Sequence, residues 1–285
     1  MVKNNDFSFR SIANDRLQDD EGGYQMPETR YFHSKEAFDR AVGQDFIDYA
    51  NKITDRGQKV LVGLAHGQSP AGAYAYIFEH YHEIRRSSLI RFTFTNSRLK
   101  RQRGLEAVKD AKWLLTRLLR KGLISKNQVL GRNLNRDDID DYAAGFNDSL
   151  KDYLLQHNKQ GYDYVFLSFD PTGRVAGVAR NSAAFESKEP VIVVEDNETG
   201  EREITGTPYF LGKSKRIAFL ATKSDKRRPL AWLYHRDGKP DESPSFLRHI
   251  DRVRERMTVF IDDRALTWPQ VSLVRKTPYG NSVIR

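Results

Sequence analysis

Apolar residues along the chain fall at two different spacings, which predict strands and helices. Val60–Ala65 is a continuous apolar run of strand length, and from Ala73 onward the apolar residues share one face of a helix. Between them, Ser69 is a suitable N-cap, and Pro70 suits the first helical position because that position needs no backbone N–H donor. The chain therefore predicts a buried strand, a glycine-bearing loop of residues 66–69 and a helix.

Strands and helices alternate along the rest of the chain in the same way. Apolar residues at helical spacing predict helices over residues 34–57, 105–121, 137–156, 225–234 and 244–254. Runs of apolar, β-branched and aromatic residues predict strands over residues 89–95, 162–169, 190–195, 216–221 and 257–261. This alternation is typical of an α/β fold, and we expect three layers, with helices on both faces of a mainly parallel sheet.

The length and composition fit one α/β domain preceded by an extension. Residues 1–29 are polar and irregular, so we expect an N-terminal extension there and a single domain over residues 30–285. The absence of cysteine excludes disulfides, thiolate catalysis and cysteine metal sites. Because the sequence shows neither a bilayer-spanning apolar run nor a signal-peptide pattern, we expect a cytoplasmic protein with no membrane partner.

The net charge of +9 favours anionic ligands in general. Basic residues cluster at 100–103, 213–216 and 223–228, but no recognised nucleic-acid-binding module surrounds these clusters. Nucleic acid is therefore a less favoured partner than an anionic small molecule, without being excluded.

The loop of residues 66–69 is a candidate anion site. Unpaired N–H groups and the positive end of a helix dipole attract negative charge at such a turn, and phosphate is the common occupant. The alternative is an ordinary turn between a strand and a helix. A second candidate position is Asn96-Ser97-Arg98, which follows a predicted strand, because ligands collect at the carboxyl ends of parallel strands.

Four segments, taken in their order along the chain, resemble one known family. Residues 63–70 (GLAHGQSP) are similar to a phosphate loop, and residues 162–176 (YDYVFLSFDPTGRVA) resemble a strand that leads to an Asp-Gly-His segment. Residues 204–222 resemble an Ile-Thr-Leu-Thr turn with its following strand, and residues 259–263 a closing strand. The family is that of glucosamine-6-phosphate deaminase and 6-phosphogluconolactonase. The resemblance implies a Rossmann-like fold and a sugar-phosphate ligand, and we expect no cofactor and no metal ion.

By that resemblance, the positions that transfer protons in the family have changed. An acidic residue of the family falls on Asn96, an amide that cannot act as a general base near neutral pH. The aspartate and histidine of the Asp-Gly-His segment fall on Thr172 and Arg174, and an arginine stays protonated at any working pH. Gly173 keeps its place, and Lys226 lies near the lysine that holds the substrate phosphate in the family.

These comparisons give two sets of candidate site residues. The candidate catalytic positions are His66, Asn96 and Arg174. The candidate ligand-binding residues are His66, Gly67, Gln68, Ser69, Thr172, Gly173, Arg174 and Lys226. His66 is the one residue nearby with a side-chain pKa suited to acid–base catalysis, although a histidine in such a turn is more often a packing residue.

Three functions stay open at this point. The favoured one is a phosphosugar-binding protein that lacks the family's acid–base catalysis and acts as a binding, regulatory or structural protein. The second is an active deaminase, isomerase or lactonase with a rebuilt site that uses His66. The third is a basic scaffold subunit of a larger or nucleic-acid-associated assembly. A homo-oligomer is compatible with each of them.

Overall fold

Six parallel strands form the main sheet of the protein. The computed structural model describes residues 27–97, 110–131, 138–179, 182–195, 200–234 and 253–266. The strands in these ranges are β1 (Glu28–Phe32), β2 (Val60–Leu64), β3 (Ile90–Phe94), β4 (Asn96–Ser97), β5 (Tyr164–Ser168), β6 (Val191–Glu195), β7 (Arg202–Gly206), β8 (Ile217–Ala221) and β9 (Met257–Asp262). The main sheet has the order β1-β9-β8-β5-β2-β3, and every neighbouring pair is parallel.

The helices begin where local capping groups satisfy their first N–H groups. In the described ranges they are α1 (Lys35–Thr54), α2 (Ala71–Glu79), α3 (Ala111–Arg120), α4 (Ile139–Gln156), α5 (Pro208–Leu211) and α6 (Arg227–Tyr234). Ser34 caps α1 as predicted, because its side chain accepts a hydrogen bond from the N–H of Ala37 at 3.1 Å. None of these helices has the length and apolar composition needed to cross a membrane.

The main sheet separates two apolar cores, which makes three layers. Along β2, Val60, Val62 and Leu64 pack into one core and Leu61 into the other, because side chains alternate across a strand. Helices α1, α2 and α3 cover the first face, and α4, α5 and α6 cover the second. The predicted three-layer α/β fold with a mainly parallel sheet is confirmed.

A small antiparallel sheet, of order β4-β7-β6, lies apart from the main sheet. Only its strand β6 was expected from the sequence. Strand β7 is five residues long and includes an arginine, a glutamate and a glycine, so it lacks the apolar pattern of a strand. Strand β1 was also missed, because it is half-buried and, within the described ranges, pairs with β9 alone at the edge of the sheet.

Some predicted boundaries differ from the structure. The helix expected from residue 105 begins at Ala111, because Asp110 is its N-cap, and residues 98–109 lie outside the described residues. Of the helix expected over residues 244–254, the structure describes only Val253, which lies in a turn, and Arg254, which begins the short 3-10 helix Arg254–Arg256. The division of the chain at residue 29 stays a prediction, although β1 already begins at Glu28.

Candidate functional site

A crevice is expected at the carboxyl ends of the strands between β2 and β5. From β2 the chain passes to β3 on one side, whereas from β5 it passes to β8 on the other side. The connections therefore diverge between two neighbouring strands, and ligands of open α/β sheets bind at such a point. Ser69, after β2, and Ser168, at the end of β5, meet there, because the Ser168 hydroxyl donates to the Ser69 Oγ at 3.1 Å.

The loop after β2 presents unbonded N–H groups. Gly67 has φ = 103°, a conformation that favours glycine, and it is exposed together with Gln68. Within the described part of the chain, the N–H groups of Gly67, Gln68 and Ser69 donate to no protein acceptor. Three consecutive free donors are a suitable cradle for an anion.

The first turn of α2 is less available to an anion than the sequence suggested. The prediction that Ser69 caps this helix is wrong: the N-cap is Pro70, and no side chain caps it. The carboxylate of Asp39, on α1, lies against this turn, where a Cβ at Gly72 would be 1.8 Å from its Oδ2. Burial raises the pKa of Asp39, and hydrogen bonding to Lys35 opposes that shift. The carboxylate of Asp39 thus occupies the α1 side of the start of α2 and leaves less room there for an anionic ligand.

His66 is held between an aromatic ring and a carboxylate. Its ring stacks on Phe94 with centroids 5.1 Å apart, and its Nδ1 is 3.4 Å from Oδ2 of Asp110. Its Nε2 is buried and has no hydrogen-bond partner among the described residues. Burial raises the pKa of Asp110, but hydrogen bonds from His66 and from the N–H of Trp113 outweigh this effect and hold it below its ordinary value. Both nitrogens of the imidazole are therefore directed into the protein.

The segment expected to hold Thr172, Gly173 and Arg174 is a turn organised by Asp170. The Oδ1 of Asp170 accepts hydrogen bonds from the N–H of Thr172 at 2.8 Å, from its hydroxyl at 2.7 Å and from the N–H of Arg174 at 3.0 Å. Gly173 has φ = 86°, which suits the tight turn. The turn follows β5, so it lies at the same edge of the sheet as the loop after β2.

Two lysines follow β8 at this edge. Lys226 is only 8% exposed, and among the described residues its ammonium makes no hydrogen bond or ion pair. Burial lowers the pKa of Lys226, and nearby Lys223 adds to that effect, whereas Asp225 and Asp170 oppose it. The ammonium of Lys223 contacts Oε1 of Gln68, in the loop after β2. The loops after β2 and β8 therefore meet across the end of β5.

Asn96 also lies at this edge, but in the small sheet. It follows β3 and pairs with Thr205 of β7. Its side-chain oxygen accepts a hydrogen bond from the hydroxyl of Thr95 at 3.3 Å. The predicted site residues thus all follow strands β2, β3, β5 and β8 at one edge of the main sheet, while their roles stay predictions.

Comparisons with known proteins identify the family. A family model described as glucosamine-6-phosphate isomerases/6-phosphogluconolactonase matches residues 33–258, which is most of the chain. The chain belongs to this family. None of the curated proteins compared with the chain matches it.

Solved structures share the fold at low sequence identity. A 6-phosphogluconolactonase from Trypanosoma cruzi superposes with a TM-score of 0.69 at 19% identity, covering 85% of this chain and 96% of that one. The enzyme from Trypanosoma brucei gives 0.68 at 15% identity, covering 85% and 98%. A monomeric glucosamine-6-phosphate deaminase gives 0.59 at 17% identity, covering 83% and 98%. At such identities the likeness shows the fold of the family, and the chemistry has to be argued from the residues of this chain.

Three residues of this edge were not among the sequence candidates. Asp110 precedes α3 and reaches His66 from 44 positions along the chain, a contact that no local pattern signals. Asp170 was interpreted as part of a turn, and the structure shows that its carboxylate organises that turn. Lys223 was seen only as one member of a basic cluster. Its position directly after a buried strand of the sheet is the signal that could have indicated it.

Proposed function

We propose that this protein binds a phosphorylated sugar in the crevice between β2 and β5 and does not catalyse the proton transfers of the family's enzymes. It would act as a binding or regulatory protein. The observation that carries the proposal is Lys226, a nearly buried lysine whose ammonium has no ion pair in the described residues, at the same edge of the sheet as the free N–H groups of residues 67–69. Because a buried unpaired charge is costly, an anionic ligand is the natural partner for it.

The arrangement of His66 supports the absence of acid–base catalysis. Its Nδ1 is directed at Asp110 and its Nε2 is buried, so neither nitrogen is offered to a ligand at the edge of the sheet. Asp170 uses one carboxylate oxygen for three hydrogen bonds within its own turn. Asn96 and Arg174 have no side-chain group that gains and loses a proton near neutral pH.

The contact between His66 and Asp110 favours a second candidate function, an active enzyme with a rebuilt site. A carboxylate that binds one nitrogen of an imidazole can orient the ring and stabilise its protonated form. This function would require the ring to turn so that Nε2 reaches the crevice.

The basic scaffold alternative receives less support from the described residues. The clusters at 213–216 and 223–228 lie at opposite ends of β8, so they are on opposite edges of the main sheet. Lys215 and Arg216 also form ion pairs, with Asp163 and Asp45. The third cluster, at 100–103, lies outside the described residues.

Calorimetric titration with a panel of sugars tests the proposed function. Glucosamine 6-phosphate, glucose 6-phosphate and 6-phosphogluconate are the ligands, and unphosphorylated glucosamine is the control ligand. Lys226→Met keeps the aliphatic stem and removes the charge, so we expect binding to weaken about 10- to 100-fold, as for loss of a charged hydrogen bond. Lys52→Met removes an exposed charge at the opposite edge and should leave the affinity unchanged.

Activity assays on the same proteins separate the two candidates. Hydrolysis of 6-phosphogluconolactone and deamination of glucosamine 6-phosphate should proceed at background rates. Turnover that His66→Ala abolishes would replace the proposed function with the second candidate. A protein that binds none of the phosphorylated sugars would contradict both.

A further inference from the structure

Lys223 has a backbone conformation that is normally confined to glycine. Its φ is 71° and its ψ is 157°. A side chain with a Cβ is strained in this region, and such residues persist only where the surrounding structure holds them in place. They also concentrate at ligand sites, and Lys223 lies two residues beyond the crevice end of β8.

The neighbouring strand holds Lys223 in this conformation. Its N–H donates to Oδ1 of Asp262 at 3.3 Å, and Asp262 is fully buried at the end of β9. The other oxygen of Asp262 accepts two hydrogen bonds from Arg264, at 3.2 and 2.6 Å. The C=O of Lys223 accepts from the N–H of Lys226 at 3.3 Å. The strained residue is therefore bonded on both sides of its α-carbon.

This conformation brings the ammonium of Lys223 to the loop after β2. Strands β8 and β2 flank β5, so their ends are about 10 Å apart, two strand spacings. The side chains of Lys223 and Gln68 meet across that gap, and the neighbours of Gln68, Gly67 and Ser69, have free N–H groups. An exposed amide oxygen is thus the partner of this cation among the described residues.

A second cation lies close to the first. Lys226 is nearly buried, and the pKa of Lys226 is lowered first by burial and then by the charge of Lys223. The carboxylates that act on Lys226 are Asp225 and Asp170, and Asp170 is already bonded within its turn. Two ammonium groups that repel each other are better matched by a doubly charged ligand than by a singly charged one, because the Coulomb energy scales with the product of the charges.

We propose that Lys223 is a specificity-determining residue, which together with Lys226 makes the crevice selective for a dianionic phosphate monoester over a monoanionic group of the same shape. When the phosphate enters, the Lys223 ammonium leaves Gln68 and binds it. The inference rests on the proposed function, since it concerns the same crevice.

A phosphate ester and a sulfate ester of the same sugar are the matched ligands for the test. Glucose 6-phosphate carries nearly two negative charges at pH 7.5, and glucose 6-sulfate carries one, with a similar shape. Calorimetric titration should show that the wild-type protein prefers the phosphate. Removing the charge of Lys223 should weaken phosphate binding about tenfold and sulfate binding about threefold, the square root of ten, because the sulfate has half the charge.

Three variants separate the charge of Lys223 from its strain. Lys223→Gln removes the charge and keeps the strain, whereas Lys223→Gly removes both, so both should lose the same part of the phosphate preference. Only Lys223→Gly should raise the melting temperature, by about 3–6 °C, because it relieves the backbone. Lys223→Arg keeps the charge and should keep the preference. Lys52→Met, at the opposite edge, is the control.

The possible outcomes test either the role of Lys223 or the proposed phosphosugar binding on which it rests. A phosphate-to-sulfate ratio that stays the same in the glutamine and glycine variants would overturn the role of Lys223 while leaving phosphosugar binding intact. Loss of the preference in Lys223→Arg would overturn it as well, since the charge is retained there. If neither ester binds the wild-type protein, the proposed function itself fails.

Discussion

Substitution of Asp110 distinguishes a His66 that only packs against its neighbours from one that a carboxylate holds in place for catalysis. Asp110 is the N-cap of α3, where its carboxylate accepts from the N–H of Trp113 at 2.9 Å, and it also contacts His66 at 3.4 Å. Loss of an N-cap costs about 1 kcal/mol. The contact with His66 is long, and each of the two side chains is about a quarter exposed, so the contact contributes less than about 1 kcal/mol to stability.

The pair Asp110→Ala and Asp110→Asn separates these two contributions. Alanine removes both, so we expect a loss of about 1.5 kcal/mol, which lowers the melting temperature by about 3–6 °C. Asparagine is as good an N-cap as aspartate and removes only the charge, so its loss should stay below about 1 kcal/mol. Urea unfolding at pH 7 measures both differences directly.

The pH dependence gives an independent check with a fixed sign. Despite burial, its hydrogen bonds hold the pKa of Asp110 below its ordinary value of 3.8 in the folded protein, so the fold favours the carboxylate. The stabilisation from this charge is therefore complete above pH 3.8 and is lost as the pH falls through the folded-state pKa. The advantage of the wild type over Asp110→Asn should therefore shrink as the pH falls below 3.8.

One result would refute this reasoning. If Asp110→Asn costs as much as Asp110→Ala at pH 7, the charge and not the cap is what stabilises α3. That result would mean that His66 and the helix dipole hold the charged carboxylate more strongly than the long 3.4 Å contact indicates. A carboxylate bound strongly to the imidazole is what the second candidate function needs, and our proposal of a non-catalytic crevice would lose its main support.

Three further predictions follow from the same structure. Gly67→Ala should lower the free energy of unfolding by about 1 kcal/mol, because φ is 103° at this position, although no atom blocks the new Cβ. It should also weaken the binding of phosphate esters in calorimetric titration, and an unchanged melting temperature would contradict the prediction. Asp45→Asn should lose about 3 kcal/mol in urea unfolding, because Arg216, which donates to Asp45 at 3.0 and 2.5 Å, loses its charged partner; a loss under 1 kcal/mol would count against this. Burial lowers the pKa of Lys226, so the stability of the protein should rise with pH between the folded-state pKa of Lys226 and 10.5. Lys226→Met should remove this rise, and a rise that persists in the variant would show that another group causes it.

The sequence was sufficient for the core of the fold because the core obeys local patterns. The apolar run that predicted β2 is buried over its whole length, as expected for a parallel strand covered on both faces. Ser34 caps α1, which is also a local signal. Strands β4 and β7 of the small sheet were missed because β4 is only two residues long and pairs with a segment far along the chain, and because β7 carries charged residues.

The candidate site depended more on contacts that no local pattern encodes. The order of strands brings the loops after β2, β5 and β8 together, and that much followed from the expected parallel sheet. Three contacts join residues that are far apart along the chain: Asp39 with Gly72, Lys223 with Asp262, and His66 with Asp110, at separations of 33, 39 and 44 residues. Composition and spacing do not report such contacts, which depend on the packed tertiary structure.

The charged residues around the crevice differ in their effect on the stability of the protein, and this difference favours the proposed role in binding an anion. Lys223 is strained by about 1–3 kcal/mol, and Lys226 is a buried charge, so both cations reduce stability unless an anion is present. Asp110 and Asp170 nearby stabilise the folded protein instead, because Asp110 caps a helix and Asp170 closes a turn. A ligand at a hundred times its dissociation constant stabilises the folded state by about 2.7 kcal/mol, which is the size of the cost at Lys223. The two cations are thus arranged for an anionic ligand to stabilise, whereas Asp110 and Asp170 already stabilise a helix start and a turn.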